Sequence, residues 1–481
     1  MATKPDDPNR NQNPHVLVFP YPAQGHMLPL LDLTHQLCLH NLRITILVTP
    51  KNLPYLSALL SAHPTAITPL VLPFPPHPSI PAGVENVKDL GNAGNIPIFS
   101  ALRNLRDPIV DWFHSHEDPP VAIISDFFLG WTMHLARSLS IPRFAFFCSP
   151  AFLASVVDFC WNNVDYVKAS GDPIPFPDLP RSPVFKEEHL PSLFRRYMKF
   201  VSDPEIASLK DSLVANTLSD GCIINSLESL EGEYFGYIKK KMGSNQVFGV
   251  GPLSLTGLDP SGRGSSGPET DSDANILRFL DECPDGSVVY VCFGSQKLLT
   301  REQMEALASG LEKSMTRFVW VVKAGTTQQL QDGYGLVPEG FEERVAGRGL
   351  VVKGWAPQVV VLSHKAVGGF LSHCGWNSVL EGIVGGAMIL AWPMEADQFV
   401  NEKHLVEHLG MAVKVCEGAN SVPDSDVLGR KIAESMGDEG GVKVRARKMT
   451  EKALAAVRNG GSSYIDLERL TRELTHLQTT K

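Results

Sequence analysis

No stretch of the 481 residues reaches the roughly 18 consecutive apolar residues that a membrane-spanning helix needs. The first fourteen residues, MATKPDDPNRNQNP, have no apolar core, so they fail as a signal peptide and read as a disordered tail. There is no CxxC pair and no Asn-x-Ser/Thr sequon. The eight cysteines, at 38, 148, 160, 222, 283, 292, 374 and 416, are scattered, which argues against a disulfide framework or structural zinc and for reduced, buried thiols. An excess of basic charge is also missing. With 43 Lys and Arg against 52 Asp and Glu, the net charge of −9 repels a phosphate backbone, so nucleic acid is excluded as a partner. A cytoplasmic protein acting as a monomer is the expectation.

What remains is the composition of an ordinary globular enzyme, about three times the length of a ~150-residue domain, so two sizeable cores are expected. The chain opens on HVLVFPY (15–21), a turn AQGH (23–26), an amphipathic stretch to 41 and RITILVT (43–49). VAIISD (121–126) and a helical pattern over 127–140 follow. Continuous apolar runs separated by helical patterns suit parallel strands covered on both faces. The Gly-, Ser-, Pro- and Asp-rich segment 252–274 reads as a linker. Beyond it the alternation resumes with SVVYVCF (287–293), a helix near 301–313, RFVWVV (317–322), VGGFL (367–371), MILAW (388–392) and MAVKV (411–415). The expected fold class is α/β: two facing Rossmann-like domains, 15–251 and 275–460, with ligands at the carboxyl ends of the strands in the cleft. The last segment, 461–481, is expected to be a helix packing back on the N-terminal domain.

Between Trp355 and Gln398 the chain reads WAPQVVVLSHKAVGGFLSHCGWNSVLEGIVGGAMILAWPMEADQ. FLSHCGWNS has the form of a strand, a Gly-containing turn and a helix N-terminus, where free backbone N–H groups and the dipole accept phosphate. His373, Asn377 and Ser378 can add donors. Ser378 and Glu381 equally have the S-x-x-E spacing of a capping box, which explains both without a ligand.

In the N-terminal half, His26 sits in the turn after the first strand, at the start of the following helix. A neutral imidazole there could take a proton from a hydroxyl, and the helix dipole disfavours the imidazolium; a structural histidine is the plainer alternative. Asp126 ends the strand VAIISD at an equivalent position. It could hold one ring nitrogen of His26, or simply cap the next helix.

The segment from Trp355 to Gln398 resembles, nearly end to end, the signature of plant family-1 UDP-dependent glycosyltransferases. PAQGHMLPLLDL, VGPL at 250–253, SVVYVCFGSQ at 287–296 and GFEERV at 340–345 fall in that family's order. The resemblance implies the GT-B fold, an inverting reaction, and no metal or other cofactor. It implies Trp355 stacking on uracil, unless it is a buried helix-start tryptophan. It further implies Ala356 and Gln358 at the uridine, Glu381 at the ribose, and His373, Gly375, Asn377, Ser378 and Ser295 at the diphosphate. Trp376, Asp397 and Gln398 match sugar-reading positions, and the terminal Gln accompanies glucose in most of the family. His26 and Asp126 match the catalytic dyad.

The implied reaction is a single displacement from UDP-glucose to a small lipophilic acceptor, with His26 as base. GHMLPLLDL and CEGAN (416–420) are similar to a subgroup acting on phenolics such as flavonoids and hydroxybenzoates. Phe127, Phe128, Phe147 and Phe152 are acceptor-side candidates or core. Glu395 could bind an acceptor hydroxyl, assist a carbon nucleophile in C-glycosylation, or be a loop charge. Two further alternatives are a non-catalytic UDP-sugar binder, against which the dyad argues, and a dinucleotide-dependent oxidoreductase, which lacks a Gly-rich turn directly after a strand. Gly262, Gly264 and Gly267 satisfy G-x-G-x-x-G, but in the linker. His404, Glu407 and His408 satisfy H-x-x-E-H without an obvious third ligand.

Overall fold

The apolar runs form parallel strands, because side chains on both faces of such a strand need cover. The computed structural model describes residues 13–258, 271–295, 297–323, 325–437 and 440–479. Most of the 1–14 tail, the middle of the 252–274 linker with Gly262, Gly264 and Gly267, and Gln296 lie outside the described residues. By their contacts the described residues divide into two units, one within Met1–Phe185, Phe194–Leu258 and Ala456–Lys481, the other within Lys186–Leu193 and Asp259–Ala455.

The first unit holds β1 (His15–Phe19), β2 (Arg43–Val48), β3 (Ile67–Val71), β4 (Ala122–Asp126), β5 (Arg143–Phe147), a small hairpin of β6 (Ile174–Pro175) and β7 (Val184–Phe185), β8 (Gly221–Ile224) and β9 (Val247–Gly249). Seven of these make one parallel sheet in the order β3-β2-β1-β4-β5-β8-β9. Every residue of β1, β4 and β5 is buried, as continuous apolar runs demand. β1 stops at Phe19 because Pro20 has no N–H to give a ladder. The helix Ser462–Thr479 belongs to this unit: Asp466 accepts from Gly249 N at 2.8 Å and Ser463 Oγ donates to Gly251 O.

The second unit has β10 (Val288–Cys292), β11 (Arg317–Val322), β12 (Gly349–Lys353), β13 (Val367–Ser372), β14 (Met388–Ala391) and β15 (Ala412–Lys414). They form a parallel sheet ordered β12-β11-β10-β13-β14-β15. Tyr290, Val319 and Phe370 from its strands pack with Ile276 and Val361 into one core. The helix Arg301–Lys313 starts at a capping box made by Thr300 and Gln303.

One expected helix breaks up. Instead of a continuous helix over 127–140 there is a 3-10 turn, Phe127–Leu129, and then a helix, Thr132–Ser138. A Cβ on Gly130 would lie 1.8 Å from Ser212 O, so another stretch of backbone occupies the space beside it. Among the described residues no helix is long and apolar enough to cross a membrane. All eight cysteines are free, and six of them are buried.

Candidate active site

In the first unit, chemistry collects at the carboxyl ends of three neighbouring strands. His26 is the third residue of the helix Gln24–Leu39 that follows β1, and its Nδ1 lies 2.9 Å from Asp126 Oδ2 at the end of β4. A carboxylate only accepts, so Nδ1 carries a proton and Nε2 is the nitrogen that gains and loses the second one. The two readings of Asp126 both hold at once: Oδ2 takes His26, while Oδ1 accepts from Phe128 N at 2.8 Å and caps the 3-10 turn. Asp126 is fully buried and His26 is 19% exposed, so the carboxylate is fixed and the ring keeps some access.

Behind the pair lies a residue that the sequence reading missed. Arg143 is wholly buried, and its guanidinium donates to Asp126 O at 3.2 Å, Ser125 Oγ, Asn216 Oδ1 and Ser219 Oγ. Burial lowers its pKa to about 10, which still leaves it charged. It locks the end of β4 that carries Asp126. A lone Arg opening the apolar strand RFAFF was its only signal.

Burial disfavours the His26 imidazolium, but the Asp126 carboxylate, joined by Cys148, outweighs it and holds the pKa well above that of a free imidazole. A base is inactive while protonated, so acceptor kcat/KM should rise as pH rises through this elevated pKa. Asp126→Asn removes the charge but keeps an oxygen for the Phe128 N–H. The acid limb should then move to lower pH by about a unit, with the rate down about a hundredfold. A pH–rate profile decides this, and an acid limb that stays put contradicts the pairing.

Aromatic rings surround the imidazole. Phe127 stacks on it with centroids 5.4 Å apart at 16°, Phe128 lies at 4.7 Å and Tyr21 at 5.3 Å. Phe147 stacks behind Phe127 at 5.1 Å. Of the aromatic acceptor candidates only Phe128 is partly exposed. Phe127 and Phe147 are 6% exposed, and Phe152 is fully buried against Tyr234, so it is core.

In the second unit, Gly375 is the N-cap of the helix Trp376–Gly385 and has no side chain with which to cap it, so the positive end of the helix dipole lies at the His373–Gly375 turn. Ser378 is therefore inside the helix and makes no capping box with Glu381. Instead Gln358 Nε2 donates to both, at 3.1 Å to Ser378 Oγ and 2.7 Å to Glu381 Oε2. The three residues form one polar cluster beside the helix start. Trp355 and Ala356 lie in the loop after β12 that leads to Gln358; Trp355 is half-buried and Ala356 buried. Trp376, the first helical residue, is only 4% exposed.

His373 follows β13. Its Nδ1 has no hydrogen-bond partner among the described residues, and burial lowers its pKa to about 4, so the ring is neutral near pH 7. Two glycines give it room: a Cβ would fall 2.6 Å from its Nε2 at Gly375 and 2.8 Å from its Cε1 at Gly294. Gly294 also has φ +75°, and the exposed Ser295 comes next, after β10.

Asn401 also escaped the sequence reading. Fully buried, it donates from Nδ2 to Cys374 O at 2.9 Å and to Asp397 Oδ2 at 2.8 Å. It thus joins the His373–Gly375 turn, where Cys374 has φ +66°, to the loop before the helix Gln398–Lys403. Its place four residues after Asp397 on a helix was the available clue. Gln398 Oε1 accepts from Met394 N and Glu395 N, which leaves its amide N–H groups for a ligand. Glu395 is partly exposed.

The H-x-x-E-H pattern forms a short π-helical turn, His404–His408, with the two Nδ1 atoms 3.3 Å apart, and it is not among the groups of the described residues that could hold a metal.

Two parallel-sheet units, one with a helix starting behind Gly375 and one carrying a histidine–aspartate pair, have the makeup of a GT-B glycosyltransferase. Comparison with known proteins gives the family. The model for "Glycosyltransferase, N-terminal domain" matches residues 13–255, and that for "UDP-glucoronosyl and UDP-glucosyl transferase" matches 265–428. The chain is 58% identical over 462 residues to UDP-glycosyltransferase 89A2 of Arabidopsis thaliana, covering 96% of each. It is 45% identical over 482 residues to the flavonol 3-O-glucosyltransferase UGT89B1 of the same plant, covering 99% of each. Among solved structures, Arabidopsis thaliana UGT89C1 complexed with UDP-L-rhamnose aligns with a TM-score of 0.78 at 40% identity, covering 96% of this chain and 99% of that one. The chain belongs to the plant family-1 UDP-glycosyltransferases.

Proposed function

We propose that the protein transfers glucose from UDP-glucose to a hydroxyl of a small lipophilic phenolic, of the flavonoid or hydroxybenzoate kind, giving a β-O-glucoside. The observation that carries this reading is the buried Asp126 carboxylate bonded to His26 Nδ1, which leaves Nε2 to take a proton. His26 deprotonates the acceptor, the oxygen attacks the anomeric carbon, and the bond to UDP breaks. The departing diphosphate is met by the N–H groups of Trp376, Asn377 and Ser378 and by His373. Trp355 stacks on the uracil, Ala356 and Gln358 flank the uridine, Glu381 accepts from the ribose hydroxyls, and Ser295 adds a donor. No metal is needed for these steps. Aromatic rings beside His26 suit a flat acceptor, and Phe128 is the one with an exposed face.

Asp397 and Gln398 read the sugar hydroxyls. The relative named as a flavonol 3-O-glucosyltransferase supports glucose and a flavonol, whereas the solved relative bound UDP-L-rhamnose, so rhamnose is the second donor to test. Products formed from a panel of phenols with UDP-glucose, UDP-rhamnose, UDP-xylose and UDP-galactose, identified by mass spectrometry, test the assignment. Gln398→His replaces an amide that both accepts the Met394 and Glu395 N–H bonds and donates. It should cut kcat/KM for UDP-glucose about tenfold and change the ranking of donors. An unaltered donor profile would take Gln398 out of the sugar-reading set.

A further inference from the structure

The fold brings a third chemistry-bearing side chain to His26 and Asp126. Cys148 directly follows β5, the neighbour of β4, which in turn neighbours β1. Its thiol interacts with the His26 ring, and the ligand-type atoms of His26, Asp126 and Cys148 all lie within 4.8 Å of one another. One imidazole nitrogen, one carboxylate oxygen and one sulfur thus converge from three adjacent strand ends, with Asp126 fully buried and Cys148 6% exposed.

Tetrahedral zinc with bonds of about 2.0–2.3 Å places its ligand atoms roughly 3.3–3.8 Å apart. Side-chain shifts of about 1 Å would close the set around one ion, leaving the fourth position for water or an acceptor oxygen. Mixed sulfur, nitrogen and oxygen ligands select soft or borderline cations over magnesium or calcium, which prefer oxygen. The other convergent group among the described residues, Glu188, His189 and Glu417, is less suited: Glu417 already pairs with Lys186 and Lys414.

We propose that His26, Asp126 and Cys148 form an inhibitory site for a thiophilic divalent cation of the zinc class. On binding, the Cys148 thiol and the His26 imidazolium each lose a proton to solvent, and the freed ring nitrogen gives its lone pair to the metal. The ion either occupies the nitrogen that would take the acceptor proton or displaces Asp126 from its partner, and both stop transfer. The inhibitory part rests on His26 being the base; the binding part does not.

Two measurements on the full chain, kept reduced with a phosphine, test this. Cadmium titration followed by the ultraviolet thiolate-to-metal band reads binding without turnover. Zinc dose–response of product formation reads inhibition. The wild type should gain a band that Cys148→Ser, Cys148→Ala and His26→Ala each remove or shift. Zinc should inhibit where equal magnesium does not, and each folded Cys148 variant should raise the half-inhibitory zinc concentration about tenfold or more. A band unchanged in the Cys148 and His26 variants overturns the site, whatever the enzyme's activity. A band that behaves as expected beside zinc-insensitive turnover overturns the inhibitory role, whereas normal metal-free turnover of His26→Ala is the separate result that overturns His26 as base.

Discussion

His26→Ala is expected to lower transfer about a thousandfold while UDP binding, measured calorimetrically, stays within about twofold of the wild type. The size follows from what is lost. General-base action on a hydroxyl contributes about 10²–10⁴ in rate, and here the base has a fixed partner, Asp126, itself locked by Arg143. The split between rate and binding follows from the chain's organisation, because His26 belongs to one unit and Gly375, Ser378 and Glu381 to the other. A variant that turns over normally would remove His26 from the chemistry. Loss of UDP binding together with turnover would assign it a structural role.

Gly375→Ala should weaken UDP binding about a hundredfold, a loss of roughly 2.7 kcal/mol, or two charge-assisted hydrogen bonds at about 1.5 kcal/mol each. The added Cβ would sit 2.6 Å from His373 Nε2, so the ring must move away from the uncapped helix start. The backbone φ of −61° at Gly375 suits alanine, so the effect is local crowding and the fold should survive. Calorimetry of UDP beside a thermal melt separates the two. Full affinity in a folded variant would mean that the diphosphate lies elsewhere.

The sequence was a good guide to strands and a poorer one to their surroundings. Apolar runs marked β4, β11 and β13 to within a residue, because parallel strands bury both faces whatever packs on them. The helix over 127–140 failed because Gly130 meets Ser212, a neighbour 82 residues away that no local pattern encodes. Ser378 and Glu381 carried a capping-box spacing, but the helix begins at Trp376 behind its N-cap Gly375, so Ser378 lies inside it. His26 and Asp126 were visible as strand-end residues, and the structure adds the bond between them. Their support was hidden: Arg143 looked like one charge in an apolar strand, and Cys148 like one scattered thiol among eight.

The most direct test of the central claim is the anomeric configuration of the product made from UDP-glucose, read by proton NMR on the purified glycoside. Attack by an acceptor that His26 has deprotonated, in one displacement on an α-linked donor, gives a β-glucoside. An α-glucoside would require retention and contradict the single displacement on which the proposed roles of His26 and the uncapped helix depend.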